Sequence, residues 1–288
     1  MIRHLTLLSI LVAFGIAPAQ AATPKIKSPE EKSIVTKVDA QYAIYGGGMH
    51  LIDAELKIDV DKKHYDSTLT ARTMGVIGKI FKWWNNVSSK GNVEPRKLQS
   101  TQHISENSWM GDRRSVTLIY DGKGGFEKKE TFPAPAAENR EEVAEELTKN
   151  TQDVMSAALT LLQRVSLGEN CNQTIAVYDG RRRFNLKFNE IQFEKLPEIR
   201  YGIYQGAARR CDMTIERVAG YWKKYQTEWT EDGDAKMRVT FWLAPLTPGG
   251  PEVPVRARTY GDFGTVFVHL TGGTMDGQNI DRKSTRLN

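Results

Sequence analysis

The run His50-Leu-Ile-Asp-Ala-Glu-Leu-Lys-Ile-Asp-Val60 alternates apolar and charged residues almost without a break. His50, Ile52, Ala54, Leu56, Ile58 and Val60 share one face, and Asp53, Glu55, Lys57 and Asp59 share the other. Period two means a strand with one dry and one wet side. Strand patterns recur at 41–45, 65–73, 98–105, 115–120, 126–132, 173–178, 183–193, 211–218, 237–243, 255–260 and 265–270. Turn signals such as Gly46-Gly-Gly48 and Asp121-Gly-Lys-Gly-Gly125 separate them. Strands that follow one another this way form an antiparallel meander rather than βαβ units.

Two segments break the pattern. In 75–86, Val76, Ile80, Trp83 and Trp84 have the spacing of a short helix. In 151–168, Val154, Ala158, Leu161, Leu162 and Val165 form a stripe, Thr151 or Asp153 can cap the start, and Gly168 marks the stop. The acidic stretch before it reads as a loop or an extra helix. One amphipathic helix within a run of strands predicts a mainly β fold: a curved antiparallel sheet, an open half-barrel packed on helix 153–166, with a concave apolar face.

The ends bound location and charge. Arg3 and His4, the apolar run Leu5–Ile16 and Ala19-Gln20-Ala21 read as a secretory signal peptide (1–21) cleaved after Ala21. No other stretch approaches transmembrane length, so the mature chain is expected to be soluble and exported. Residues 22–40, polar and with Pro24 and Pro29, read as a disordered leader, and 41–280 as a single domain. The closing DRKSTRLN (281–288) matches the translation of a common sequencing adapter and is set aside. Without Arg3 and the net +2 of that octapeptide, the formal +5 falls to +2. That is far from the clustered basic excess of a nucleic-acid binder.

In 171–188, taking Asp179-Gly180 as a two-residue turn puts Tyr178 opposite Arg181 and Cys171 opposite Phe188. Cys171, Gln173, Ile175, Val177, Phe184, Leu186 and Phe188 then share one face. Arg181 and Arg183 fall to the wet face, and Arg182 sits at the rim of the dry one. Cys211, with Met213 and Ile215, also lies on an apolar face. Two buried-facing cysteines in an exported chain predict a Cys171–Cys211 disulfide. Neither has a C-x-x-C partner or a histidine close in sequence, as a reactive thiol would need. The Arg181-Arg182-Arg183 run reads as a solvated hairpin tip, with an anion site at Arg182 as the functional alternative.

Catalytic and metal signatures are absent. His50, His64, His103 and His269 show no metal-ligand spacing, and there is no G-x-S-x-G or phosphate loop. No catalytic residue, metal or cofactor is expected.

The helix 150–165, the C-x(6)-Tyr-Asp-Gly-Arg-Arg-Arg hairpin, the later Cys211 and the closing Pro254-Val-Arg-Ala-Arg-Thr-Tyr-Gly-Asp-Phe-Gly resemble the exported bacterial family called domain of unknown function 3108, over roughly Gln41 to Leu270. The resemblance implies a curved sheet shaped like periplasmic lipoprotein carriers, a Gram-negative periplasm and an apolar cavity, and no activity. The combined expectation is a non-enzymatic envelope protein that carries an acyl chain or similar amphiphile, with Arg182, Phe184, Leu186, Trp83 and Trp84 as its ligand residues. The alternative is a scaffold that docks an envelope protein partner and holds no small molecule.

Overall fold

The computed structural model describes residues 36–223, 238–261 and 264–282; the expected signal peptide lies outside them. In chain order the elements are β1 Thr36–Gly46, β2 Met49–Val60, β3 His64–Thr73, α1 Gly75–Ile80, β4 Trp83–Val93, β5 Leu98–Trp109, β6 Asp112–Tyr120 and β7 Phe126–Phe132. A 3-10 turn (Pro135–Glu138), the one-turn α2 (Glu145–Thr148) and α3 (Val154–Ser166) follow. Then come β8 Gln173–Tyr178, β9 Arg183–Leu196, β10 Gly206–Ala219, β11 Val239–Pro245, β12 Glu252–Gly261, β13 Gly264–Met275 and β14 Gln278–Ile280.

The fold is mainly β: one antiparallel sheet in the order β7-β6-β5-β4-β3-β2-β1-β13-β12-β11-β10-β9-β8, with β14 on β13. The edge strands β7 and β8 share no ladder, so the sheet is not closed. Its ends nevertheless touch. Tyr178 of β8 packs with Val116 and Leu118 of β6, and its ring lies 5.7 Å from that of Phe126. Strands so far apart in the order can meet only if the sheet curls, the natural outcome of strand twist.

Helix α3 fills the inside of the curl. Met155 and Leu159 join one apolar cluster with Val38, Tyr42, Ile58 and Leu270. Ala157, Leu161 and Val165 join a second with Ile175, Phe184, Leu186, Phe188 and both cysteines. Because the helix is covered on two sides, its buried set is broader than the expected stripe, and Val154 at 41% exposure faces water. Asp153 is the cap, accepting the Ser156 N–H at 2.9 Å, and Gly168 in the left-handed region ends the helix.

Two boundaries differ from the sequence reading. Residues 36–40 belong to β1 rather than to a leader, because Thr36, Val38 and Ala40 already alternate inward. The helix expected over 75–86 stops at Ile80, and Trp83 and Trp84 begin β4. An isolated helix of that length is marginal. The segment after it gains a full ladder on both sides, with Trp83 opposite Trp109 and Trp84 opposite Arg72.

Candidate functional site

The β8–β9 hairpin keeps its expected faces but not its expected turn. Tyr178 pairs with Arg183 and Gln173 with Phe188, two residues along from the two-residue-loop register. The cause is Asp179, whose Oδ1 accepts the N–H groups of Arg181 (3.0 Å) and Arg182 (2.7 Å), while its own N–H donates to the Arg182 carbonyl. That widens the loop to four residues. A slip of two leaves the face of every side chain unchanged, whereas a slip of one would invert it.

The fates of the arginines correct the expectation. Arg181, placed in water by the simple turn, is buried at 8% exposure. Its guanidinium donates to the carbonyls of Pro133 (2.7 Å), Phe132 (2.7 Å) and Ser115 (3.2 Å), and to Glu138 (2.8 Å). Glu138, whose side chain is buried, also meets Arg140 at 2.9 Å and Arg114 at 3.0 Å. Gly180 makes the approach possible: a Cβ there would lie 2.4 Å from Val116. Arg183 is half-exposed and held by the carbonyls of Leu147 and Phe184. Arg182 is half-exposed and paired with Asp179 at 2.7 Å, with its guanidinium 5.6 Å from the Phe184 ring.

Arg181 is thus the clasp between the two ends of the sheet. Arg181→Ala is expected to destabilise by about 3 kcal/mol, because it strands three carbonyls and unbalances a buried carboxylate. Arg182→Ala should lose less than about 1 kcal/mol, since its ion pair is partly solvated. Urea melts of the two variants read the difference.

The remaining expected residues do not converge. Phe184 and Leu186 are buried at 4% each in the second apolar cluster. Trp83 and Trp84 lie at the start of β4, on the far side of the sheet order from β8 and β9. Cys171 and Cys211 sit at disulfide distance, with Cα atoms 6.3 Å apart and both side chains fully buried.

Three hollows border these elements. The apolar one, between α3 and the sheet, is lined by Val38, Ile58, Leu98, Leu159, Leu162 and Val253 and has a volume of about 40 Å³. Small-molecule cavities run to about 300–1,000 Å³, so this space holds no acyl chain in this conformation. The other two are polar. One of about 510 Å³ lies beside the α3 N-terminus, lined among others by Ser100, Tyr120, Gln152 and Arg164. The other, of about 590 Å³, lies over β1–β4 and is lined by Glu55, Thr70, Arg72, Trp84 and Asn86. Trp84 is the only expected ligand residue on any of the three.

The most organised chemistry lies where the sequence reading expected none. Asp153, fully buried, accepts from Ser89 Oγ (2.7 Å), Ser100 Oγ (2.6 Å) and Ser156 Oγ (2.7 Å) besides the Ser156 N–H. His103 Nδ1 stands 3.2 Å from the same carboxylate and 2.7 Å from Ser89 Oγ. Tyr65 Oη closes the cluster at 2.6 Å from Ser156 Oγ. Burial alone would push the Asp153 carboxyl up, but His103 and the hydroxyl donors hold it well below the usual carboxylate range.

Serine, histidine and aspartate in contact invite comparison with a hydrolytic triad. In a triad the aspartate and serine occupy opposite ring nitrogens, and the serine faces substrate. Here both lie at Nδ1. The single Ser89 proton points to Asp153, and Ser89, His103 and Asp153 are all buried. The cluster anchors α3 to β3, β4 and β5. A bulge hides it from a periodic reading. Lys90 pairs with Gln102 but Gly91 with Ser100, which leaves Thr101 extra, so Ser100 and His103 both point inward. Gly91 permits the bulge, because a Cβ there would meet the Gln99 carbonyl oxygen at 2.0 Å. The available signal was a polar serine at an inward position of β4, between Val87 and Gly91.

Among the described residues no group of His, Cys, Asp or Glu is arranged to hold a metal, and no helix is long and apolar enough to cross a membrane. No functionally curated protein matches the sequence. Among solved structures, the beta-barrel-like protein of domain of unknown function DUF1849 from Brucella abortus is similar over 84% of this chain and 98% of that one, at 10% identity and a TM-score of 0.44. The family model described as protein of unknown function (DUF3108) matches residues 41–271, and the chain belongs to that family.

Proposed function

We propose that the protein is an exported, non-enzymatic scaffold of the cell envelope that docks a protein partner on its outer surface. The observation that carries this reading is the interior: α3 occupies the concave face and leaves about 40 Å³ of apolar space. An acyl-chain carrier, the other reading of the sequence, would need α3 to leave the sheet. That motion would expose Met155, Leu159, Leu161 and Val165 and break the buried hydrogen bonds of Asp153. The polar groove over β1–β4, with Arg72, Glu55 and Trp84 in its walls, offers a partner the mixture of charge and aromatic surface common at interfaces. Export to the periplasm is supported by the signal-like first 21 residues and by two cysteines at bonding distance.

Native mass spectrometry of protein purified from the periplasm tests both readings. The scaffold predicts the mass of the chain alone and no melting shift with added lipids. It also predicts a reproducible crosslinked partner lost on Trp84→Ala with Arg72→Glu. A stoichiometric co-purifying amphiphile, or crosslinking untouched by that variant, would overturn it.

A further inference from the structure

The end of the sheet built from the β1–β2, β3–β4 and β5–β6 connections carries a group of exposed apolar side chains. Met49, Val76, Ile80, Phe81, Trp109 and Met110 are 57%, 70%, 55%, 46%, 54% and 56% exposed. Helix α1, which supplies two of them, buries none of its residues. The three connections are one surface. The Met74 N–H donates to the Leu51 carbonyl and the Met110 N–H to the Lys82 carbonyl, and the rings of Phe81 and Trp109 stack with centroids 6.4 Å apart.

The opposite end of the same strands is a control within the molecule. Its connections are Asp61-Lys62-Lys63, Glu94-Pro95-Arg96-Lys97 and Asp121-Gly-Lys-Gly-Gly125, with no large apolar residue. Strand alternation is common to both ends, so it does not explain an apolar surface at only one. Cations surround the apolar group. Lys79, Lys82 and Arg113 are exposed and, among the described residues, none has a carboxylate within ion-pair reach. Of the acids near this end, Asp53 is paired with His50, and Asp112 is exposed at the start of β6.

We infer that this end is a membrane-docking tip that seats on an anionic bilayer surface. Indole, phenyl and thioether groups suit the headgroup–acyl boundary, and each nearby lysine or arginine adds attraction to anionic headgroups. Apolar side chains ringed by unpaired cations match that surface in both polarity and charge. The inference is independent of the proposed partner groove.

The test uses full-length mature protein with vesicles of phosphatidylcholine, alone or with about one third phosphatidylglycerol. Co-flotation and tryptophan emission report binding. The protein should float with the anionic vesicles with a blue-shifted emission, and bind neutral vesicles about tenfold or more weakly. The variant I80S/F81S/M110S should lose flotation. The variant K79E/K82E/R113E should lose the preference for anionic vesicles. Both should melt like the parent, since the substituted side chains are exposed. Absence of flotation by the parent, or unchanged flotation by the apolar variant, would overturn the inference. So would a parent that sediments as a dimer while the apolar variant is a monomer, because the tip would then join two copies of this chain.

Discussion

Asp153→Ala is expected to lower folding stability by about 4 kcal/mol, moving Tm down by roughly 10 °C. The variant removes three things at once: the cap of α3, the acceptor for three buried hydroxyls and the negative charge beside His103. Each lost partner leaves a buried donor without water to replace it. Asp153→Asn should fall between the two, since its carbonyl still caps Ser156 while its amide opposes hydroxyl protons. The pH dependence adds a second readout. The Asp153 carboxyl titrates below its ordinary range in the folded protein, so the unfolded chain binds the proton first. Its stabilising contribution is therefore complete above the unfolded value of about 3.9 and is lost as pH falls below it. Acid titrations of Tm should be steeper for the parent than for Asp153→Asn. Equal slopes, or an alanine variant as stable as the parent, would show that the cluster does not hold α3.

That cluster also marks where the sequence stopped being legible. The strands and their faces could be read because period two is a local property, and it survived the two-residue shift that Asp179 imposed on the hairpin, whereas the pairing of β1 with β13 depends on contacts distant in sequence. The turn itself could not, since an Asp-Gly pair favours a tight loop unless the aspartate side chain captures two later N–H groups. Arg181 looked solvated because each of its acceptors lies more than forty residues away in sequence. Trp83 and Trp84 fitted a helix by spacing, yet ladder partners on β3 and β5 decided the matter. His103 and Ser100 stand three apart, a separation that places residues on opposite faces of a regular strand. Only the bulge at Thr101 aligns them. Thus the fold was visible in local pattern, and the polar cluster within it depended on long-range pairing and one irregularity.

Reduction of the protein is expected to destabilise it by about 4 kcal/mol in the chain-entropy account, a Tm loss again of roughly 10 °C. The figure follows from the 40-residue separation of Cys171 and Cys211. The bridge ties the residues before β8 to the middle of β10, across β9, so it closes a loop that contains the whole β8–β9 hairpin. Both sulfurs lie in the cluster that receives Leu161 and Val165 of α3, and loosening the edge strand there also weakens the seat of the helix. The double variant Cys171→Ala with Cys211→Ala separates the two contributions: it removes the crosslink without burying a serine hydroxyl, and loses little volume. If the crosslink dominates, this variant and the reduced parent should melt within a few degrees of each other, and reductant should leave the variant unmoved. A parent whose melting ignores reductant would mean that the two thiols are not bonded, and that packing in this cluster, rather than a covalent tie, fixes β8 at the edge of the sheet.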